Sequence, residues 1–315
     1  MKDAFRHLLR KPVGDEDERL TQARDPAYWR ALDATLHVEG PAPAATAPLA
    51  AVDEDSLKRR ILEDGYLRTE PLIPEAALAR VLGAAKTVER AGWPFVFAWL
   101  YDEVWDAIRA PGVVDALSAL LGEGHRQLPG VWLHFVPALE GARGWGPHVD
   151  VARRPRFLPD GRADRLTVWI PLTDAGVDNA CLYVVPPRHA PPGLAERFDH
   201  LETIDMTTAL RLLHAARPLP AAPGSLLAWR LDVVHWGGFH TGESDAPRWA
   251  LSLEYLHERE EPSLAEGFAL DARSRPSFEA RLQLVGRGLL AYGKAEDREP
   301  FAHRFLSLGE RLWRG

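Results

Sequence analysis

Three features of the sequence predict an α+β fold: a double-stranded β-helix (jelly-roll or cupin-like) core with flanking helices. The first is a change of texture at Gly130, where helical periodicity gives way to short strand-like runs. The second is the spacing of those runs, which are joined by turns rich in Gly, Pro, Asn and Asp, as in antiparallel double-sheet barrels. The third is the placing of the helical patterns, which lie mainly before and after the strands and so surround one core instead of forming a second domain.

Taken in order, residues 15–37 are charged and weakly helical, and the Pro/Ala-rich run Gly40 to Pro48 reads as a linker. Residues 1–50 are therefore expected to be an N-terminal extension that packs on the main body or stays partly mobile, with residues 51–315 forming the principal domain. Asp53 can cap a helix running through Leu62, and Pro74-Glu75 opens another that continues to about Glu89. Shorter helices are expected near 101–109 and 112–121. Strands are expected at Val131 to Val136, Leu166 to Leu172, Cys181 to Val185, Ser225 to Trp229 and Trp249 to Leu256. A helix near Met206 to Ala216 interrupts them, and the chain is expected to be helical from about Ser277 to Leu312.

Composition narrows the function. At 315 residues, with 46% hydrophobic and 26% charged residues, the chain can bury a sizeable core without covalent staples. A net charge of −7 argues against a general nucleic-acid binder. Cys181 is the only cysteine, which excludes an internal disulfide or a thiolate cluster, and its apolar surroundings read as inert core. The start Met1-Lys2-Asp3-Ala4-Phe5 lacks a secretory layout and no apolar run approaches a bilayer span, so a cytoplasmic location without membrane attachment is expected.

The chemistry concentrates in His148-Val149-Asp150, His235 and Arg248. In an extended strand, side chains at i and i+2 share a face, so His148 and Asp150 can reach one ion, whereas in a helix they would diverge. Gly144-Trp145-Gly146-Pro147 keeps a helix from entering here. A third donor at His235 completes two imidazoles and one carboxylate, the facial triad that holds non-haem Fe(II) with open positions. Arg248, 248 − 235 = 13 residues further on, supplies a cation for an anionic co-substrate. Trp132, Trp145, Trp169, Trp229, Trp236 and Trp249 flank the site, either as core filling or as walls of a wide cavity.

In these residues the chain resembles the phytanoyl-CoA dioxygenase family of Fe(II)/2-oxoglutarate oxygenases, from roughly Asp64 to Tyr255. Asp64-Gly65-Tyr66-Leu67 is similar to the family's early "DGY-hydrophobic" segment. Trp169 to Asp174 followed by Asp178-Asn179-Ala180-Cys181-Leu182 resembles its "W-x-x-L-x-D … E-N-G-x-L" run. Pro186-Pro187-Arg188-His189 stands where "P-G-S-H" is usual, and Arg248 to Leu253 resembles the strand whose Arg grips 2-oxoglutarate. The departures are Ala180 for Gly, Pro187-Arg188 for Gly-Ser, and no Asn after the distal His.

The resemblance implies His148, Asp150 and His235 as metal ligands and Arg248 as partner of the 2-oxoglutarate C5 carboxylate. His134 and Trp132, on one strand face, are further candidates for the co-substrate, although His134 can equally be a satisfied core histidine. His240 competes with His235, but its distance to Arg248, 248 − 240 = 8 residues, is short for the family. It is then a pocket or surface-loop residue, and His189 a structural one. The implied reaction is hydroxylation of an unactivated C–H of a small, anionic metabolite or natural-product intermediate with O2, releasing succinate and CO2, with desaturation or epoxidation left open by the same chemistry. Asp150 favours this over halogenation, in which the carboxylate ligand is missing.

Arg153, Arg154, Arg156, Arg162 and Arg165 follow the metal motif and either attract an anionic substrate or form a solvated loop. Two alternatives stay open: a cupin-like metal enzyme that does not use 2-oxoglutarate, and a degenerate binding protein without catalysis.

Overall fold

Two antiparallel sheets face each other and helices cover the outer side of the larger one. The structure, a computed structural model, describes residues 15–41, 47–49, 51–151, 156–190, 192–195, 205–293 and 302–314. The larger sheet has six strands, β1 (Tyr66–Pro71), β2 (Arg126–Val136), β3 (Arg165–Pro171), β6 (Ser225–Trp229), β8 (Arg248–Leu256) and β9 (Leu270–Asp271). Their spatial order is β1-β6-β3-β8-β2-β9. The smaller sheet holds β4 (Leu182–Val185), β5 (Arg217–Leu219) and β7 (Val234–Gly237) in the order β5-β4-β7. An isolated antiparallel bridge between His148 and His235 extends it by one more segment. This is the double-stranded β-helix expected from the strand spacing.

Strand alternation sorts the residues of the larger sheet into two layers. Leu166, Val168, Leu226, Ala228, Leu251 and Leu253 face the helices and join the main core. Trp169, Leu227, Trp229 and Ala250 face the smaller sheet, where they meet Cys181, Leu182, Val184 and Leu219. Cys181 is fully buried there, and burial pushes its thiol up to about 11, so it carries no thiolate chemistry at neutral pH.

The helices follow their sequence signals. Helix α3 (Glu54–Glu63) starts where Asp53 accepts a hydrogen bond from the Ser56 amide, and α4 (Glu75–Arg90) follows Pro74. Helices α5 (Asp102–Ile108) and α6 (Pro111–Leu121) lie where shorter ones were expected. Helix α7 (Met206–Ala215) stands between β4 and β5. The long C-terminal helix is instead two, α8 (Phe278–Tyr292) and α9 (Leu306–Arg314). A Cβ at Gly293 would stand 2.4 Å from the Leu289 carbonyl oxygen, so the backbone turns out of the helix at a residue that tolerates the contact.

The N-terminal segment packs on the main body. Helices α1 (Glu16–Arg24) and α2 (Pro26–Leu32) bring Leu20, Ala23 and Trp29 into the main core. Trp29 has 0% exposure and stacks on Phe97 at 5.5 Å between centroids. Most of the expected linker, residues 42–46, lies outside the described residues. Among the described residues no helix is long and apolar enough to cross a membrane.

Candidate active site

His148 and His235 sit on neighbouring extended segments whose backbones bond reciprocally, His148 N to His235 O at 3.1 Å and His235 N to His148 O at 2.9 Å. Two glycines permit this approach. A Cβ on Gly237 would fall 2.6 Å from the Gly144 Cα, and one on Gly144 would fall 2.8 Å from the Gly237 Cα. Side chains at either position would push the two histidine segments apart.

Each imidazole is oriented by a carbonyl of its own segment. His148 Nδ1 lies 2.7 Å from Gly146 O, and His235 Nδ1 lies 2.9 Å from Val233 O. Because a carbonyl only accepts, each Nδ1 carries the proton and Nε2 is left as the lone-pair nitrogen. Both Nε2 atoms face Asp150 Oδ1, at 3.9 Å from His148 and 3.7 Å from His235. The other oxygen, Oδ2, accepts from Thr167 Oγ1 at 2.6 Å and from Trp229 Nε1 at 2.9 Å. One donor atom from each of the three residues thus lies within 4.8 Å of the others, the arrangement needed to hold one metal ion. Burial pushes the Asp150 carboxyl up, but His235, His148 and the bonds from Thr167 and Trp229 outweigh it and hold it below the usual carboxylate range.

These donors open into a cavity of about 290 Å³ that is also lined by His134, Trp145, Trp169, Arg248, Glu254 and Tyr292. Arg248 is 2% exposed and has no carboxylate partner among the described residues. Its guanidinium lies over the Trp169 ring at 5.3 Å, and its Nε lacks a hydrogen-bond partner. Burial pulls its pKa down to about 10, which still leaves it charged at neutral pH. A buried cation without an anion is costly, and an incoming carboxylate relieves that cost.

The remaining candidates divide. His134 lines the cavity and shares a 2.8 Å hydrogen bond with Ser252 Oγ. Trp132 does not line it: at 3% exposure its ring packs on Tyr292 at 4.8 Å, because α8 covers that part of β2. Of the six flanking tryptophans, Trp145, Trp169 and Trp229 are cavity walls. Trp249 packs between Phe95 and Phe135, and Trp236 stacks on Tyr183 on the outer side of the smaller sheet.

His240 is a buried loop residue. Its Nδ1 accepts from the Gly242 amide and its Nε2 lies 3.3 Å from Ala246 O, so it ties its own turn and does not compete with His235. His189 is exposed and bonds Arg188. The arginine-rich run does not form an anion-attracting lid in its described part. Arg156 pairs with Asp164 and Glu260, Arg162 with Asp160 and Glu54, and Arg165 with Glu254 and Glu266. Arg153 and Arg154 lie outside the described residues.

Sequence reasoning missed Thr167 as the partner of Asp150, and it missed Glu254 and Tyr292. Glu254 carried a usable signal, since Arg248, Ser252 and Glu254 fall on one face of a strand. Tyr292 carried none, being 292 − 150 = 142 residues from the metal motif.

Residues 95–248 match the family model for phytanoyl-CoA dioxygenase (PhyH). Over these residues the chain is similar to the phytanoyl-CoA dioxygenase family. The likeness carries the cofactor pair expected above, Fe(II) and 2-oxoglutarate, and the His148, Asp150 and His235 donors fit the iron. Among solved structures, a non-heme monooxygenase, ThoJ, in its Ni complex is 18% identical, with 76% of this chain and 97% of that chain covered and a TM-score of 0.51. ThoJ in its apo form is 17% identical, with 81% and 99% covered and a TM-score of 0.50. At this identity the likeness shows the shared fold. No curated protein matches the chain.

Two motif segments of the family resemblance meet at one corner. Arg188 Nη1 pairs with Asp64 Oδ1 at 2.9 Å, and Gly65, at φ +80°, packs against Pro187 with no room for a Cβ. Ala180, where the family pattern has Gly, takes φ +68°. Its neighbour Asn179 builds the turn, accepting from Gly176 N at 2.6 Å and donating to Asp174 O at 2.8 Å.

Proposed function

We propose that this enzyme is an Fe(II)/2-oxoglutarate-dependent dioxygenase that hydroxylates a C–H bond of a small molecule, with O2 as oxidant and succinate and CO2 as co-products. The observation that carries the reading is the pairing, in one cavity, of three convergent metal donors with a buried arginine that has no anionic partner among the described residues.

When bound, Fe(II) would activate O2, the oxidant, with decarboxylation of 2-oxoglutarate to succinate supplying two of its four electrons and the substrate C–H bond the other two. The residues of the chain do the rest. His148 and His235 offer lone pairs because Gly146 and Val233 hold the opposite ring nitrogens as N–H donors. Thr167 and Trp229 keep Asp150 ionised and stop its carboxylate from rotating away. Arg248 orients the distal carboxylate of the co-substrate through its paired N–H groups, which a lysine could not match. Leu182, Trp145, Trp169 and Trp229 form apolar walls that keep water from the reacting end.

A metal enzyme that did not use 2-oxoglutarate would have no use for an unpaired buried guanidinium, so Arg248 separates the two chemistries. The test is succinate release from 2-oxoglutarate in air. It should require Fe(II) and disappear in both Asp150→Ala and Arg248→Ala. Succinate formation by a metal-stripped protein, or by Asp150→Ala, would overturn the reading.

A further inference from the structure

The cavity has a second polar end that the metal chemistry does not use. Strand β8 carries Arg248, Ala250, Ser252 and Glu254 on one face, so a cation and a carboxylate stand six residues apart, about 20 Å of backbone at ~3.3 Å per residue. Arg165 engages only one oxygen of Glu254, Oε2, through Nε at 3.2 Å and Nη2 at 2.5 Å, and shares its charge with Glu266. One cation therefore serves two acids. The other oxygen, Oε1, has no hydrogen-bond partner among the described residues, and neither does the Tyr292 hydroxyl. Both atoms lie 3.9 Å from the point a Cβ would occupy on Gly130, whose missing side chain leaves this end open.

The surroundings suit a particular kind of group. The Tyr292 ring packs near Trp145, with centroids 5.9 Å apart, so aromatic surface adjoins the carboxylate. A recess of about 100 Å³ shares Gly130, Glu254 and Tyr292 with the main cavity. Arg287 borders that recess, but it donates to Ala265 O and lies over the Trp313 ring. Glu254 and Tyr292 both fall outside residues 95–248, so the family match assigns neither of them.

We propose that Glu254 and Tyr292 are substrate-positioning residues and that the substrate carries a protonated amine at the end remote from the oxidised carbon. The inference rests on the oxygenase reading above and names the substrate class for that same cavity. An ammonium group bonds charge-assisted to Oε1 and lies against aromatic faces, two interactions that favour a cation over a neutral hydroxyl. The opposite signs of the two ends also fix orientation. The carboxylates of the co-substrate are drawn to Arg248 and repelled by Glu254, while the amine experiences the reverse.

The test titrates the full-length protein, with excess 2-oxoglutarate present to occupy Arg248, with 2-phenylethylamine, 2-phenylethanol and phenylacetate, followed by tryptophan fluorescence, since Trp145, Trp169 and Trp229 line the cavity. The amine should bind at least tenfold more tightly than the alcohol, with phenylacetate weaker than the amine. Glu254→Gln should lose the amine preference while keeping a cooperative thermal transition, and Tyr292→Phe should weaken amine binding by less. Equal affinity for amine and alcohol, absence of amine binding, or undiminished amine affinity in Glu254→Gln overturns the proposal. Fe(II)-dependent succinate release is measured on the same samples. If it persists while amine selectivity fails, only the anchor falls; if it is absent while amine selectivity holds, the oxygenase reading falls instead.

Discussion

The backbones of His148 and His235 are bonded to each other in both directions, at 3.1 and 2.9 Å. The two imidazoles are therefore held side by side by main-chain hydrogen bonds, with ring centroids 4.3 Å apart, independently of any ion. Little ordering is left for a metal to accomplish on arrival, which favours tight binding.

That closeness depends on the Gly144–Gly237 contact. Gly237→Ala would place a methyl group 2.6 Å from the Gly144 Cα and force the segments apart. The variant should lose at least tenfold in Fe(II) or Mn(II) affinity by calorimetry and melt at a lower temperature than the wild type.

Thr167 would act on a bound metal through Asp150. Thr167→Val keeps the side-chain shape but removes the 2.6 Å bond to Oδ2. Metal affinity should fall about 10–100-fold, the usual cost of losing such a support. Unchanged affinity in a calorimetric titration would mean that Trp229 alone holds the carboxylate.

Arg248 carries a stability cost in the absence of its anion. Arg248→Met fills the same space without charge, so the apo protein should gain about 1–3 kcal/mol in denaturant unfolding. The same variant should show no stabilisation by added 2-oxoglutarate, whereas the wild type should gain a higher melting temperature with it.

At Ala180 the backbone adopts φ +68°, a region that disfavours any side chain. Ala180→Gly should therefore stabilise the fold by about 1 kcal/mol in chemical denaturation. The departure from the family pattern at this position costs conformational energy and leaves the turn built by Asn179 in place.

Much of this architecture was legible because it is local. Asp53 announces a helix by its cap, and β2, β3, β4, β6 and β8 announce themselves by apolar strand-like runs, whereas the short β5 and β7 do not. The strand β1 did not, because Arg68, Thr69 and Glu70 make an edge strand look like a polar loop. Residues 15–40 read as an extension because their charges mask Trp29, whose burial depends on Trp93 and Phe97 far along the chain. The metal donors were readable from residue type and spacing. Their supports were not, since Thr167 and Trp229 acquire meaning only once tertiary folding sets them beside Asp150.

Burial pushes the Glu254 carboxyl up, and Arg165 only partly offsets this, so folding raises its proton affinity. The contribution of such a group is fully present below the ordinary carboxylate range and is lost as pH rises through the folded-state value. Glu254→Gln imitates the protonated form. Its melting temperature relative to wild type should therefore be more favourable at pH 7 than at pH 4, as read by paired thermal melts.

The helix carrying Tyr292 reaches the cavity from a part of the chain that provides none of the metal donors. Exchanging the tip of α8 would thus redraw what the enzyme accepts without disturbing how it handles oxygen. Of the two proposed anchors, only Tyr292 is mounted on a piece of polypeptide separate from the reactive centre, so it can drift under selection while Glu254 stays tied to the strand of Arg248.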